Sequence, residues 1–294
     1  MIEIQGPPAS GKTHLLYYLV MTVILPTEFL GRLIDGWERA AVIYDTDGTF
    51  DIQRLHHLLV SRVAHILPQA SAKHLSQAAL KRLHVFRPTS SIQLATSLTC
   101  FPKYHIASIL DEDVGLVAVD SVSSFYWPDR FTMEQLNSAT VQHETSHTPN
   151  SLQYILTALQ KIRLSYGAVI VLTNWGLNSI TKSTDHPIPT TLYKQHMKPF
   201  PIITLLTDPD RPDPILTPFS EASLPLMHHI TLPFVSMAPD LLLVDMEAEE
   251  SKYRSKIITK GEIIGIVRTR GSSRVGRFTF DVRDDEVFVG DGGK

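Results

Sequence analysis

Apolar, β-branched runs recur along the chain at 1–5, 40–44, 83–86, 116–119 and 168–172, separated by stretches with helical spacing, notably 50–67 and 152–165. Short continuous apolar runs alternating with helices mark strands that are buried on both faces, so the pattern predicts a parallel sheet with helical cover. The longest apolar run, 15–25, is interrupted by Thr22 and is shorter than the ~18 residues that span a bilayer; it reads as a buried helix. After Thr173 the texture changes. Nine prolines fall between 176 and 228, namely Pro187, Pro189, Pro199, Pro201, Pro209, Pro212, Pro214, Pro218 and Pro225. That density opposes regular helix and interior strand, and predicts a long insertion or mobile loop. Strand-like pieces return at 229–234, 262–269, 276–281 and 286–289 with little helix between them, and these predict an antiparallel extension of the same sheet. The acidic stretch 245–250 reads as a surface loop. The expected fold is α/β, a mostly parallel sheet flanked by helices with an antiparallel C-terminal extension, in a single domain over 1–294.

Composition narrows the class without changing the fold. The 294 residues are 43% hydrophobic and 19% charged, as in a globular protein able to bury a large core. No basic n-region precedes an apolar core and cleavage site, so no secretion signal is expected, and no contact with a membrane. Cys100 is the single cysteine, which excludes an internal disulfide and fits a reducing compartment. The net charge of -3 gives no global polycation, so any contact with nucleic acid must be local.

The candidate chemistry begins directly after the first apolar run. Gly6-Pro7-Pro8-Ala9-Ser10-Gly11-Lys12-Thr13 matches G-x-x-x-x-G-K-[ST], between a strand and a helix. In such a phosphate-binding loop the glycines let successive N–H groups face the β-phosphate, and the following helix adds the positive end of its dipole. Lys12 reaches the β- and γ-phosphates, and Thr13 offers its hydroxyl to Mg²⁺. A second anchor is Asp120, which closes the apolar run 115–119 and is placed to hold Mg²⁺ or its water. ATP with Mg²⁺ is the expected ligand.

Tyr44-Asp45-Thr46-Asp47-Gly48-Thr49-Phe50 with Gln53-Arg54-Leu55, then Asp120-Ser121 and Thr173-Asn174, stand in the order of the RecA-type recombinase core. The chain resembles that core, and in particular the eukaryotic strand-exchange paralogues, from 1 to about 175 and more faintly from 229. The string Phe125-Tyr126-Trp127-Pro128-Asp129-Arg130 narrows the resemblance to one branch of the group. It implies a RecA-like P-loop NTPase core. It also implies that Asp47 occupies the position of the glutamate that orients the attacking water, one methylene shorter. Trp175 stands where active members carry a glutamine that senses the γ-phosphate, and indole accepts no hydrogen bond from water. Both departures point to ATP binding with weak or absent hydrolysis. Arg54 matches the position that stacks on adenine.

The same resemblance places single-stranded DNA against two loops, here roughly 130–150 and 176–198, with Lys182, Lys194 and Lys198 as the cations of the second. Active recombinases carry a helical domain and a Phe-x-x-Ala linker ahead of the core. This sequence starts at the core strand, so the resemblance implies joining a hetero-oligomer of recombinase paralogues, or capping a filament end, in place of self-assembly into a long filament. The implied role is that of a nuclear accessory subunit in homologous recombination and double-strand break repair, with weak contact to single-stranded or branched DNA. An active DNA-dependent P-loop ATPase is the alternative. A small-molecule kinase fits less well, because the proline-rich stretch shows neither an arginine-rich lid nor an acceptor pocket.

Two further features complete the reading. His143-Glu144-Thr145-Ser146-His147 satisfies H-E-x-x-H, but Thr145, Ser146, Thr148 and Pro149 make a poor helix and no third ligand is evident, so zinc chemistry is not expected. From 252 to 277 the chain carries Lys252, Arg254, Lys256, Lys260, Arg268, Arg270, Arg274 and Arg277 against one acid, Glu262. The turn bearing Arg270, Arg274 and Arg277 would present guanidinium groups to phosphates, or equally to an acidic partner.

Overall fold

The computed structural model describes residues 1–139, 151–176, 179–181, 191–193, 226–232, 262–272 and 275–291. The elements run β1 (Ile2–Gly6), α1 (Lys12–Ile24), β2 (Glu28–Phe29), β3 (Arg32–Leu33), β4 (Ala40–Asp45), α2 (Ile52–Ala64), α3 (Gln69–Leu80), β5 (Leu83–Phe86), α4 (Ser91–Ser108) and β6 (Val114–Asp120). A single 3-10 turn, Val122–Phe125, leads into α5 (Tyr126–Ala139), followed by α6 (Ser151–Tyr166) and β7 (Val169–Trp175). Then come β8 (Ser179–Thr181), β9 (Thr191–Tyr193), β10 (His228–Thr231), β11 (Glu262–Thr269), β12 (Val275–Val282) and β13 (Val287–Asp291).

Nine of these strands form one sheet in the order β13-β12-β11-β10-β1-β7-β6-β4-β5. The strands from β10 to β5 are mutually parallel, and β11, β12 and β13 add an antiparallel meander. This is the α/β architecture of a RecA-like core. One expectation needs correction: β10 does not belong to the antiparallel extension but pairs parallel with β1, Ile2 opposite His228. The long connection after β7 allows the chain to return to the start of the sheet before β10 begins, which a parallel pair requires and a hairpin cannot supply.

Helices cover both faces because the strands alternate. Ala41, Ile43, Leu116, Ala118 and Val171 face a core shared with α1, α2 and α3, whereas Val42, Tyr44, Val117, Val119, Ile170 and Leu172 face α4 and α6. Helix α2 starts at Asp51, whose side chain accepts from the N–H groups of Gln53 and Arg54. Helix α4 starts at Ser90, capping Gln93, and buries Leu94, Leu98 and Phe101 one turn apart, although Pro102 lies inside it. Helices α3, α4 and α5 were not singled out by the apolar pattern. Within the proline-rich region, β8 and β9 form a two-stranded hairpin; Pro187 and Pro189 fall between them, so neither strand carries a proline.

The meander positions the site. Phe280 and Val287 are buried in the α1 core, and a Cβ on Gly11 would lie 2.8 Å from the Phe280 ring and 2.9 Å from Ile263. Gly11 also has φ +87°, so both its backbone and its surroundings require glycine. The C-terminal strands thus press directly on the loop that starts α1. Phe280→Ala is expected to lower stability by about 3–5 kcal/mol, measured by denaturant unfolding, with the slope on denaturant unchanged.

Candidate functional site

The segment Gly6–Lys12 curls at the C-terminal end of β1. Ala9 and Gly11 both take positive φ, and Ser10 N–H donates to the Pro7 carbonyl at 3.3 Å. A Cβ on Gly6 would meet Ser10 Oγ at 2.4 Å and the Leu232 carbonyl at 2.8 Å, so the turn closes only with glycine there. Pro8 and Ala9 form the exposed crest, and Ser10 is buried beneath it. Helix α1 begins with no side-chain cap, unlike α2 and α4, and has no acid in its first turn. Its first amides are free to meet an anion. Ser10 Oγ is buried without a hydrogen-bond partner, a polar atom that a phosphate oxygen would satisfy.

Lys12 is buried, and its Nζ donates to the carbonyls of Gly6 at 3.0 Å and Pro7 at 2.8 Å. Burial lowers its pKa, while Asp120 and Asp47 act to raise it. Thr13 Oγ1 donates to Asp120 Oδ2 at 2.9 Å. Thr173, at the end of β7, donates to the other oxygen, Oδ1. Asp120 is only 2% exposed, and burial raises its pKa, with the Thr173 and Thr13 hydrogen bonds opposing and the charges of Asp47 and Asp45 adding to the rise. Two threonine hydroxyls therefore converge on one buried carboxylate, which also feels the Lys12 charge. Thr13 and Asp120 supply the hard oxygen donors that suit Mg²⁺.

Asp47 follows the end of β4. Its N–H approaches the Asp120 carbonyl at 3.4 Å, and Ser124 Oγ of the 3-10 turn donates to Asp47 Oδ1. Ser124 Oγ is in turn 2.8 Å from Thr46 Oγ1, which lies 2.6 Å from the Ser121 carbonyl. At the end of β7, the Trp175 N–H donates to Ser123 Oγ at 3.0 Å and the Gly176 N–H to the Gly6 carbonyl at 2.9 Å. Trp175 is partly buried beside the loop. Arg54, on α2, donates through Nη1 to the Asp284 carbonyl and through Nη2 to that of Arg283, in the turn between β12 and β13. The meander's upper turn and α2 are joined at that point.

Sequence reasoning passed over Asp45. It closes β4 as Asp120 closes β6, and the register sets the two opposite each other. Its Oδ1 accepts from the N–H groups of Thr49 and Phe50, and its Oδ2 from Arg87 Nε at 3.1 Å. The signal was available, since an apolar run ending in aspartate occurs twice. Thr173 was noted only as a strand end; its role as second donor to Asp120 depends on the juxtaposition of β6 and β7.

Of the cations expected to contact DNA, only Arg270 and Arg277 are among the described residues. The first expected loop, 130–150, is helical as far as Ala139, the end of α5. Phe125 packs into the α4 and α6 core, whereas Tyr126 and Trp127 are 46% and 55% exposed, with the Arg130 guanidinium 5.8 Å from the Trp127 ring centre. Asp129 accepts from Ser91 Oγ at 2.8 Å, tying α5 to the start of α4. Lys182, Lys194, Lys198 and Arg274 lie outside the described residues, as does 143–147. Among the described residues no group of three or more His, Cys, Asp or Glu side chains is placed to hold a metal, and no helix is long and apolar enough to cross a membrane. Arg270 and Arg277 are exposed. Thr269 pairs with His228, which pairs with Ile2, so the Arg270 turn sits at the N-terminal edge of β1. The phosphate loop and the ends of β6 and β7 are at the opposite edge, about 15 Å away by strand rise. The separation has a topological cause, because an antiparallel hairpin returns its tip to the edge from which β1 starts.

This combination defines an α/β core of the RecA type. No family model matches the chain. It is similar to the DNA repair protein XRCC2 of Mus musculus, 31% identical over 179 residues, which cover 60% of this chain and 56% of that protein. The DNA repair protein XRCC2 homolog of Arabidopsis thaliana is 24% identical over 199 residues, 59% of this chain and 53% of the relative. The DNA repair protein RAD51 homolog 2 of Mus musculus is 29% identical over 124 residues, 42% of this chain and 32% of the relative. The chain spans about half the length of the XRCC2 relatives it matches. These likenesses support an XRCC2-like RAD51 paralogue, in agreement with the F-Y-W-x-D-R string.

A raised carboxylate pKa means that the fold favours the protonated form, so its stabilising contribution is full below the ordinary carboxylate value and is lost as pH rises through the raised one. In metal-free buffer, Asp120→Asn should therefore raise the thermal midpoint at pH 7, and the gain should shrink toward pH 4. Thermal unfolding of both proteins across that range measures it.

Proposed function

We propose that this chain is an ATP-binding recombinase paralogue that serves as an accessory subunit in DNA repair by homologous recombination. The observation that carries the reading is the 2.9 Å contact from Thr13 to Asp120, which brings the two phosphate motifs into one site beside Lys12. The relatives support the repair role by their names, DNA repair proteins XRCC2 and RAD51 homolog 2. A nuclear location and other recombinase paralogues as partners accord with that role.

The residues fit a nucleoside triphosphate. Lys12, released from the Gly6 and Pro7 carbonyls, would pair with the β- and γ-phosphates, and the uncapped amides of α1 and Ser10 Oγ would meet the remaining oxygens. Thr13 and Asp120 would hold Mg²⁺, which when bound neutralises charge on the phosphates. By the resemblance Arg54 would lie beside the base, with its guanidinium held on the Arg283 and Asp284 carbonyls. Slow turnover is expected, since Asp47 has a shorter reach than glutamate and keeps one oxygen on Ser124, and since Trp175 cannot accept a hydrogen bond from water. In this reading ATP acts mainly to stabilise association between subunits. Contact with single-stranded or branched DNA is weak and salt-sensitive, through the loops following β6 and β7 or through the Arg270 turn.

ATP binding and hydrolysis should be measured side by side, with and without single-stranded DNA. The expected outcome is binding with slow turnover, and loss of binding and weaker partner association in Lys12→Ala. Residual turnover should fall at least about tenfold in Asp47→Asn. Brisk DNA-stimulated turnover would replace the accessory reading with an autonomous ATPase. For the basic turn, changing Arg270, Arg274 and Arg277 together to Ala should weaken DNA binding and flatten its salt dependence; an unchanged salt slope would remove the turn from the DNA surface.

A further inference from the structure

On the face of the sheet away from α1, a row of polar side chains crosses four neighbouring strands. Asn174 on β7, Glu3 and Gln5 on β1, His229 and Thr231 on β10, and Arg268 on β11 make up the row, and Glu3 pairs with His229, which pairs with Arg268, in register. Glu3, Gln5, Asn174, His229 and Thr231 are all buried. A buried polar row of this kind needs every proton assigned. Asn174 Nδ2 donates to Glu3 Oε1 at 3.1 Å. Arg268 Nη2 donates to His229 Nδ1 at 2.8 Å, which makes that nitrogen an acceptor and leaves the ring proton on Nε2. Nε2 then donates to Gln5 Oε1 at 3.0 Å. Glu3 Oε2 lies 3.6 Å from the same Nε2 and, like Arg268 Nε, is buried without a hydrogen-bond partner.

The charges follow from this assignment. Burial, reinforced by the Arg268 charge, lowers the His229 pKa to about 4, so the imidazole is neutral and its approach to Glu3 is not an ion pair. Burial raises the Glu3 pKa to about 7, against the Asn174 hydrogen bond and the Arg268 charge. Arg268 keeps its charge throughout. Among the described residues, the titratable or charged groups facing Glu3 are His229 on β10 and Arg268 on β11. β7 offers the Asn174 amide, and the Met1 amino group, just ahead of β1, is influenced by Arg163 of α6. Below neutrality the row therefore holds one uncompensated cation, and above it a cation and an anion on strands separated by β10.

We infer that Glu3 and Arg268 form a proton-linked latch that fastens the C-terminal meander to β1 and closes when Glu3 loses its proton. The latch acts on the strands that press Ile263 and Phe280 onto Gly11, so it sets how firmly the meander covers the phosphate loop. Its signature differs from that of an ordinary buried acid. Ionising Glu3 lowers global stability, because the folded pKa is raised and the contribution is lost as pH rises from the ordinary carboxylate value through about 7. His229 opposes this only in the acid range, since its depressed pKa gives a contribution present above the ordinary histidine value and lost as pH falls through about 4. The latch predicts that β11 tightens over the pH range in which the fold as a whole weakens.

Hydrogen exchange of the Ile266–Thr269 amides, corrected for intrinsic rate, should be followed from pH 6 to 8.5 together with the carboxyl carbon resonance of Glu3. In the wild-type chain protection of these amides should rise at least about threefold across the range, as expected for gain of a partly buried charge pair. Glu3→Gln, which keeps an acceptor for Asn174, should abolish the rise. Arg268→Met should also abolish it and move the Glu3 titration upward. The latch is overturned if wild-type protection is flat or falling, if Glu3→Gln retains the rise, or if Arg268→Met leaves the Glu3 midpoint in place. None of these readings depends on nucleotide.

Discussion

The contact between the Thr13 hydroxyl and the Asp120 carboxylate is where the sheet, the loop and the first helix meet. Asp120 is positioned by β6, Thr13 by the first turn of α1, and Thr173, its second donor, by β7. For these groups to converge, β1 must lie beside β7 and β7 beside β6, with their C-terminal ends together. Parallel pairing across a sheet buried on both faces delivers that, because it collects strand ends, and the loops following them, along one edge. The same edge carries Asp45 opposite Asp120, so the site holds two buried carboxylates.

Such a site is costly to the fold. Asp120 is almost inaccessible and loses hydration that two hydroxyls only partly replace, while Asp45 and Asp47 add like charge nearby. Lys12 is also buried and turns back onto loop carbonyls. Burying cations and anions together reduces this cost. The second buried row, around Glu3, follows a different economy: one neutral histidine lies between a carboxylate and a guanidinium, and the fold tolerates the carboxylate by raising its pKa. Both arrangements depend on β1, whose alternate residues face opposite sides of the sheet.

The meander gives the chain its individual character. It packs Phe280 and Ile263 on Gly11 and brings the turn at Arg283 to Arg54, so the loop is enclosed by strands that are remote in sequence. Its lower turn carries Arg270 to the edge opposite the nucleotide motifs. The two edges of the sheet are thus related only through the strands between them. The likeness to XRCC2 and RAD51 homolog 2 covers up to about 60% of this chain.

The sequence by itself determined the parts whose chemistry is local. G-x-x-x-x-G-K-[ST] dictates a turn that only glycines can make, and apolar runs of strand length flanked by amphipathic stretches dictate a buried parallel sheet. Gly6 to Thr13, Asp120 and most strand positions were therefore legible, whereas Asp47 was reached only through the family resemblance. Tertiary structure decided what depends on strand order and register. That β10 joins the sheet parallel to β1, that Thr173 completes the Asp120 pair, that Ser124 engages Asp47, and that Glu3 meets Asn174 and lies in register with His229 are all contacts between residues far apart in the chain. Local propensity carries no information about which strands become neighbours. Arg54 and Arg270 make the point most clearly: the first contacts the meander at the nucleotide edge and the second lies at the other, and only the antiparallel return of β11 determines which is which.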